Sequence, residues 1–211
     1  MPTGHSSVFP RVLTVASTIS PRLLQLLQYL DHLGLRQTIV TQRVRGLAGR
    51  RRLGERSLVR PVGLPLGRRF AFPSLSAAAH LPGLGRTADL VHVHDGDAVT
   101  LGLAVVTAVI WDIPVIVSIR DGSEAATPWP GSIHPALQTA FRTALRRADA
   151  VIAYSMEQAE CVVAAGALAG RVRLLTPAEP EQRATVILDL YRSVWARHLA
   201  RQVAVWHPTT G

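Results

Sequence analysis

The stretch ADLVHVHDGDA, Ala88 to Ala98, carries His92, His94, Asp95 and Asp97 within six positions. Imidazoles and carboxylates are the common metal ligands and proton carriers of proteins. Residues two apart on a strand share a face, so His92 and His94 would point the same way. A zinc or iron site needs a third and usually a fourth protein ligand. The remaining histidines supply none at suitable spacing: His80 lies upstream, His134 opens a helix after a long loop, and His198 and His207 sit in the tail. Ala98 stands where a metallohydrolase motif would continue with histidine. The expectation is therefore no metal and no cofactor, with His92 as a satisfied core histidine and no residue assigned a catalytic role.

The elements that would position these residues alternate in type. RVLTVAS is a short β-branched run, hence a buried strand; RLLQLLQYLDHLG spaces Leu23, Leu26, Leu27, Leu30 and Leu33 as a helix stopped by Gly34; RQTIVTQ is a second strand. A short strand is expected near Leu58 to Val62, and a helix over PSLSAAAHLPGLG. DLVHVH, PVIVSI, DAVIAYS and RVRLL then read as strands, separated by helices over DAVTLGLAVVTAVIW, HPALQTAFRTALRRA and MEQAECVVAAG. This pattern predicts an α/β fold: a single Rossmann-like, doubly wound parallel sheet with helices on both faces. TPAEPEQ interrupts the pattern as a linker, and a last helix over RATVILDLYRSVWARHLARQV is expected to dock on the sheet through Leu190, Tyr191, Val194 and Trp195. Residues 1–177 form the sheet domain in this reading, and 178–211 the linker and docking helix.

The apolar run from Ala98 to Ile119 has the length of a membrane span, but Asp112 and Pro114 interrupt it, which favours a helix, a turn and a strand. With 48% hydrophobic and 18% charged residues, the composition excludes a disordered chain. Cys161 is the only cysteine, so no internal disulfide forms; together with an amino terminus lacking a basic-then-apolar leader, this points to a cytoplasmic protein. The net charge is +9, from 23 basic and 14 acidic groups, and every basic side chain other than histidine is arginine. Such an excess favours anionic partners. Arg43, Arg45, Arg50, Arg51, Arg52 and Arg56 concentrate it in a Gly-punctuated stretch, expected to be an exposed loop or short frayed helix. Near an anionic membrane each arginine contributes about 1 kcal/mol, so peripheral contact with the inner face of the membrane is one expectation and a solvated loop the other.

Ligands of doubly wound sheets bind beyond the carboxyl ends of the strands. Ser17, Thr18, His94, Asp95, Arg120, Asp121 and Ser155 fall at such ends and are the candidate substrate-binding residues.

The order of the later segments resembles the N-terminal, acceptor-side half of family 4 glycosyltransferases of the GT-B fold. In that family a DxVHxH strand, a small-residue helix, an IPVVxTxH strand and an RRADxVIAxS segment follow one another before a closing strand that ends in proline. The corresponding stretches here are DLVHVH, IPVIVSI, RRADAVIAYS and RVRLLTP, and the likeness covers roughly Val12 to Pro177. The family inserts a second Rossmann domain after that proline and then returns with a terminal helix. In this chain the helix follows Pro177 almost at once, so the donor domain is expected to be missing, with its ExxxxxxxE pair and diphosphate-holding basic residues. Two first-domain positions also depart from the pattern. The glycine loop after the first strand reads STISPR, and Arg120 stands where the family has histidine. Arginine stays protonated, so it could bind phosphate but not replace histidine's proton chemistry.

The resemblance implies a truncated glycosyltransferase-like protein without independent transfer, serving as an acceptor-binding or accessory module. Its partners would be a sugar or lipid-linked acceptor, or a partner glycosyltransferase chain. One alternative is half of a split, active hexosyl transferase that uses a nucleotide-sugar donor. Another is a basic nucleic-acid-binding protein, disfavoured because no stacking platform or nucleic-acid motif accompanies the arginines.

Overall fold

A computed structural model of the chain describes residues 9–16, 19–42, 51–62, 75–94, 98–119, 135–176 and 179–206. The strands are β1 (Val12–Ala16), β2 (Gln37–Gln42), β3 (Arg51–Arg52), β4 (Ser57–Val62), β5 (Leu90–His94), β6 (Val115–Ser118), β7 (Ala150–Ala153) and β8 (Val172–Leu174). The helices are α1 (Pro21–His32), α2 (Leu75–Gly85), α3 (Ala98–Trp111), α4 (Pro135–Arg147), α5 (Met156–Ala164) and α6 (Pro180–Trp206). The strands form one sheet in the order β3-β4-β2-β1-β5-β6-β7-β8, parallel except for β3, which runs antiparallel to β4. Strand order reverses between β1 and β5, and that switch point is where such sheets open a ligand crevice.

The expected α/β architecture is what the chain adopts, with one local difference. Arg51 and Arg52, expected in a loop or frayed helix, form the edge strand β3. The cause is a clasp that sequence pattern does not reveal: the Asp31 carboxylate, buried at the end of α1, accepts the Glu55 and Arg56 backbone N–H groups, both at 3.0 Å. That folds the segment back beside β4. Gly54 is required there, since a Cβ would stand 2.1 Å from the Asp31 carboxylate.

Local chemistry sets the element ends. Ser20 caps α1 by accepting the Leu23 N–H, Pro21 takes the first helical position, and Gly34 ends the helix at φ +94°. A second device recurs at the amino edge of the sheet. Asp89, just before β5, accepts the Arg11 N–H that precedes β1, and Asp149, just before β7, accepts the first N–H of β6. The Ala-Asp pairs of TADLV and RADAV are therefore clasps between neighbouring strands. Arg11 strengthens the first clasp with a two-pronged ion pair at 2.7 and 2.9 Å. The interrupted apolar run resolves as α3, a turn and β6, and among the described residues no helix is long and apolar enough to cross a membrane.

Two apolar layers enclose the sheet. On one face, α2, α3, α4 and α5 pack on Leu13, Val15, Val91, Val93, Val115, Val117 and Val151. On the other, α1 and α6 pack on Val12, Ile39, Leu90, Ile116, Ala150 and Ile152. The connections β5 to β6, β6 to β7 and β7 to β8 all step in one direction, so right-handed crossovers place their helices on one face. The opposite face of that half is covered by α6, which buries Ala184, Ile187, Leu188, Tyr191 and Val194. The expected docking helix is thus present, with its buried stripe centred on Tyr191; Leu190 and Trp195 are half-buried at its margins.

Tyr191 is fully buried, and its hydroxyl lies 2.5 Å from Nδ1 of His92. Tyr191→Phe, which orphans that nitrogen, is expected to cost about 1–3 kcal/mol. Tyr191→Ala, which also opens a cavity, should cost about 3–5 kcal/mol. Trp195→Ala should cost less than Tyr191→Ala. Urea unfolding of the three variants checks the ranking, and an unchanged melt for Tyr191→Ala would refute the docking account.

Candidate functional site

Leu90, His92 and His94 alternate with Val91 and Val93 along β5, so both histidines lie on the α1 and α6 face. Register places Thr14 of β1 beside His92, and Ala16 and Ser118 on either side of His94. The two imidazoles stack with centroids 3.8 Å apart at an interplanar angle of 39°.

Their surroundings separate them. His92 is fully buried, with Nδ1 at 2.5 Å from the Tyr191 hydroxyl and Nε2 at 2.6 Å from the Ser118 hydroxyl. Burial pushes the Tyr191 pKa up, with a smaller contribution from Tyr154, so the phenol keeps its proton. Tyr191 can then donate to Nδ1 while Nε2–H donates to Ser118, an order that places each proton along the chain. Both ring nitrogens are used, so His92 is a satisfied core histidine, as its position inside the strand suggests. Burial, and secondarily the neighbouring His94, pushes its pKa well below the ordinary range.

His94 is 3% exposed, and its Nε2 is buried without a hydrogen-bond partner among the described residues. Burial lowers its pKa to about 3, which keeps the ring neutral at ordinary pH. An unpaired buried polar atom costs about 1–3 kcal/mol, so such an atom at the end of a central strand is where a ligand group would be rewarded. Thr14 adds a second: its Oγ1 is also buried and unpaired among the described residues.

The other expected contacts divide. Ser155 lies at the carboxyl end of β7, but its Oγ caps α5 by accepting the Gln158 N–H at 3.1 Å. Ser17, Thr18, Asp95, Arg120 and Asp121 lie outside the described residues, as do Arg43, Arg45 and Arg50. Arg52 and Arg56 are exposed, and Arg56 donates to the Gly34 carbonyl at 3.1 Å. Sequence reading missed Thr14 and Ser118, and it named Tyr191 for helix docking without its contact to His92. The available signal was a polar residue inside an apolar strand: Thr14 in VLTVA and Ser118 in VIVS share the face of the histidines. Among the described residues no group of three or more His, Cys, Asp or Glu is placed to hold a metal ion.

Burial of neutral histidine has a measurable consequence. Unfolded His94 takes a proton below about 6.5, whereas the folded ring resists it down to about 3. In that window the unfolded state binds more protons, so stability is complete above pH 6.5 and falls as the solution is acidified, by about 1.4 kcal/mol per pH unit for one such group. Urea unfolding between pH 5 and 7.5 should show His94→Gln with a shallower loss than the parent. Equal slopes would mean that the ring is not held neutral.

A family profile identifies the family, and solved structures share the fold. The Glycosyltransferase Family 4 profile matches residues 20–179. No curated protein sequence matches the chain. A sucrose-phosphate synthase structure from Thermosynechococcus elongatus, designated 27–220 and 406–426, superposes with a TM-score of 0.66 at 14% identity, over 88% of this chain and 99% of that one. Anabaena HepE in complex with UDP gives a TM-score of 0.54 at 15% identity, over 79% of this chain and 43% of that one. Arabidopsis thaliana UGT89C1 complexed with UDP gives 0.51 at 14% identity, over 80% of this chain and 49% of that one. The chain thus spans less than half the length of the two UDP-bound proteins, and their likeness lies in the single Rossmann-like sheet of GT-B glycosyltransferases. By its match over residues 20–179, this chain belongs to Glycosyltransferase Family 4.

Proposed function

We propose that this chain is an acceptor-side glycosyltransferase module, which binds a sugar or lipid-linked acceptor at the carboxyl ends of β1 and β5 and does not transfer sugar alone. The observation that carries the reading is the Nε2 of His94, buried at the switch point of the sheet with no hydrogen-bond partner among the described residues. A neutral imidazole there suits a hydroxyl-bearing ligand better than an ionic one, because it offers one uncharged hydrogen bond and no net charge.

One further point supports the absence of independent transfer. Leu175 to Glu179 is all the chain between β8 and α6, so no second α/β unit stands between them, and α6 packs directly on the sheet. Transfer would then need a donor-side domain on a partner glycosyltransferase chain. Peripheral contact with an anionic membrane through the arginine-rich segment around Arg52 and Arg56 would bring the module to a lipid-linked acceptor.

Calorimetry of the purified chain against UDP- and GDP-sugars should give dissociation constants of about millimolar or weaker, with no product in a transfer assay. Micromolar binding to the isolated monomer would overturn the proposal. An array of glycans and lipid-linked sugars should reveal the acceptor, and His94→Ala should lose it.

A further inference from the structure

At the amino edge of the sheet, opposite the crevice, the last turns of α3, α4 and α6 leave a cleft of about 570 Å³. Val105, Val109 and Ile113 give it an apolar wall, while Arg146, Arg147, Arg171 and Arg201 line the rest. Two carboxylates share the cleft, and both are engaged. Asp149 accepts the Val115 N–H at 3.0 Å and Arg201 at 2.8 Å, and Asp112 accepts from the Gln202 amide at 3.0 Å. Four guanidinium groups therefore face two carboxylates. Arg171 is partly used, donating to the Ala148 carbonyl at 2.9 Å, but Arg146 and Arg147 are exposed with no intramolecular partner among the described residues.

Helix carboxyl ends ordinarily repel anions. Here the nearby carbonyls are occupied: Ala108 O by the Ile113 N–H, Val109 O by the Asp112 N–H, and Asp112 O by His198 at 2.8 Å. The apolar wall continues outward along α3, where Val106, Val109 and Ile110 are 53%, 55% and 55% exposed. Their spacing makes one stripe, exposed among the described residues, beside the guanidinium groups of Arg146 and Arg147. The volume lies in the range of small-molecule sites.

We propose that this cleft is a second binding site, for an organic anion: a phosphate or carboxylate held by Arg146 and Arg147, on an apolar body lying against Val105, Val109 and Ile113. It is separate from the acceptor crevice and does not depend on the function proposed above. Such an anion could be a free amphiphile or a lipid headgroup with its first carbons.

Decyl phosphate below its micellar concentration is the probe, titrated into the full chain at low ionic strength. It should bind at one saturable site, about tenfold or more tighter than inorganic phosphate, and weaken with salt. Decyltrimethylammonium should not bind. The double variant R146Q/R147Q and the single variant Val109→Asp should each lose about tenfold or more in affinity with an unchanged melt. Val186→Asp, the same change at an exposed position on the first half of α6, should have no effect. Co-sedimentation with phosphatidylglycerol vesicles, lost in the same variants, would identify a lipid headgroup as the source. Decyl phosphate binding without co-sedimentation would identify a free anion. Absence of decyl phosphate binding, or equal binding by the variants and the parent, overturns the proposal.

Discussion

Half of this sheet has an apolar face that no strand connection can cover. From β5 onward each strand adds on the same side of its predecessor, and right-handed crossovers send α3, α4 and α5 over one face only. Leu90, Ile116, Ala150 and Ile152 would face water on the other. α6 meets this need, and the contact that orients it is polar. Tyr191 reaches His92, which reaches Ser118, so one hydrogen-bonded chain runs from the helix through β5 to β6. Apolar burial gives the docking its strength, while the hydroxyl–imidazole contact selects one register from the several that the apolar stripe of Ala184, Ile187, Leu188 and Val194 could adopt.

The same contact separates the two histidines of the motif. His92 has become part of the sheet's architecture, with no capacity left for a ligand. His94 sits two residues further on, with its ring tilted against that of His92, and among the described residues its Nε2 has no partner. Because the His92 ring is fixed on both nitrogens, it is a rigid platform for the His94 ring, which fits a site that must be held ready before its ligand arrives.

Much of this architecture was legible from patterning alone. Strands and helices alternate with strong periodicity, and Gly34 marks a helix end in the usual way, so element order and sheet type follow. Position inside an apolar strand was enough to suggest that His92 is structural. Legibility stopped where contacts join residues distant in sequence. Asp31 folding β3 into place acts across 25 positions, and Tyr191 meets His92 across 99; neither leaves a local trace. For the candidate crevice, sequence located the strand ends, whereas the difference between a paired and an unpaired imidazole depends on which side chains surround each ring.

The position of α6 in the chain also bears on how the protein folds. All eight strands among the described residues precede it, so during synthesis the β5–β8 face is made, and can pair into sheet, before its cover exists. An interval of exposed apolar sheet is when chains of this class associate wrongly or engage chaperones. α6 is about 40 Å long and lies on that face beside α1, which is present from the start. Its arrival would convert a sticky intermediate into a closed domain in one late step. Expression at low temperature or with chaperones would favour that closure, and truncation within α6 would yield aggregate rather than a smaller folded domain.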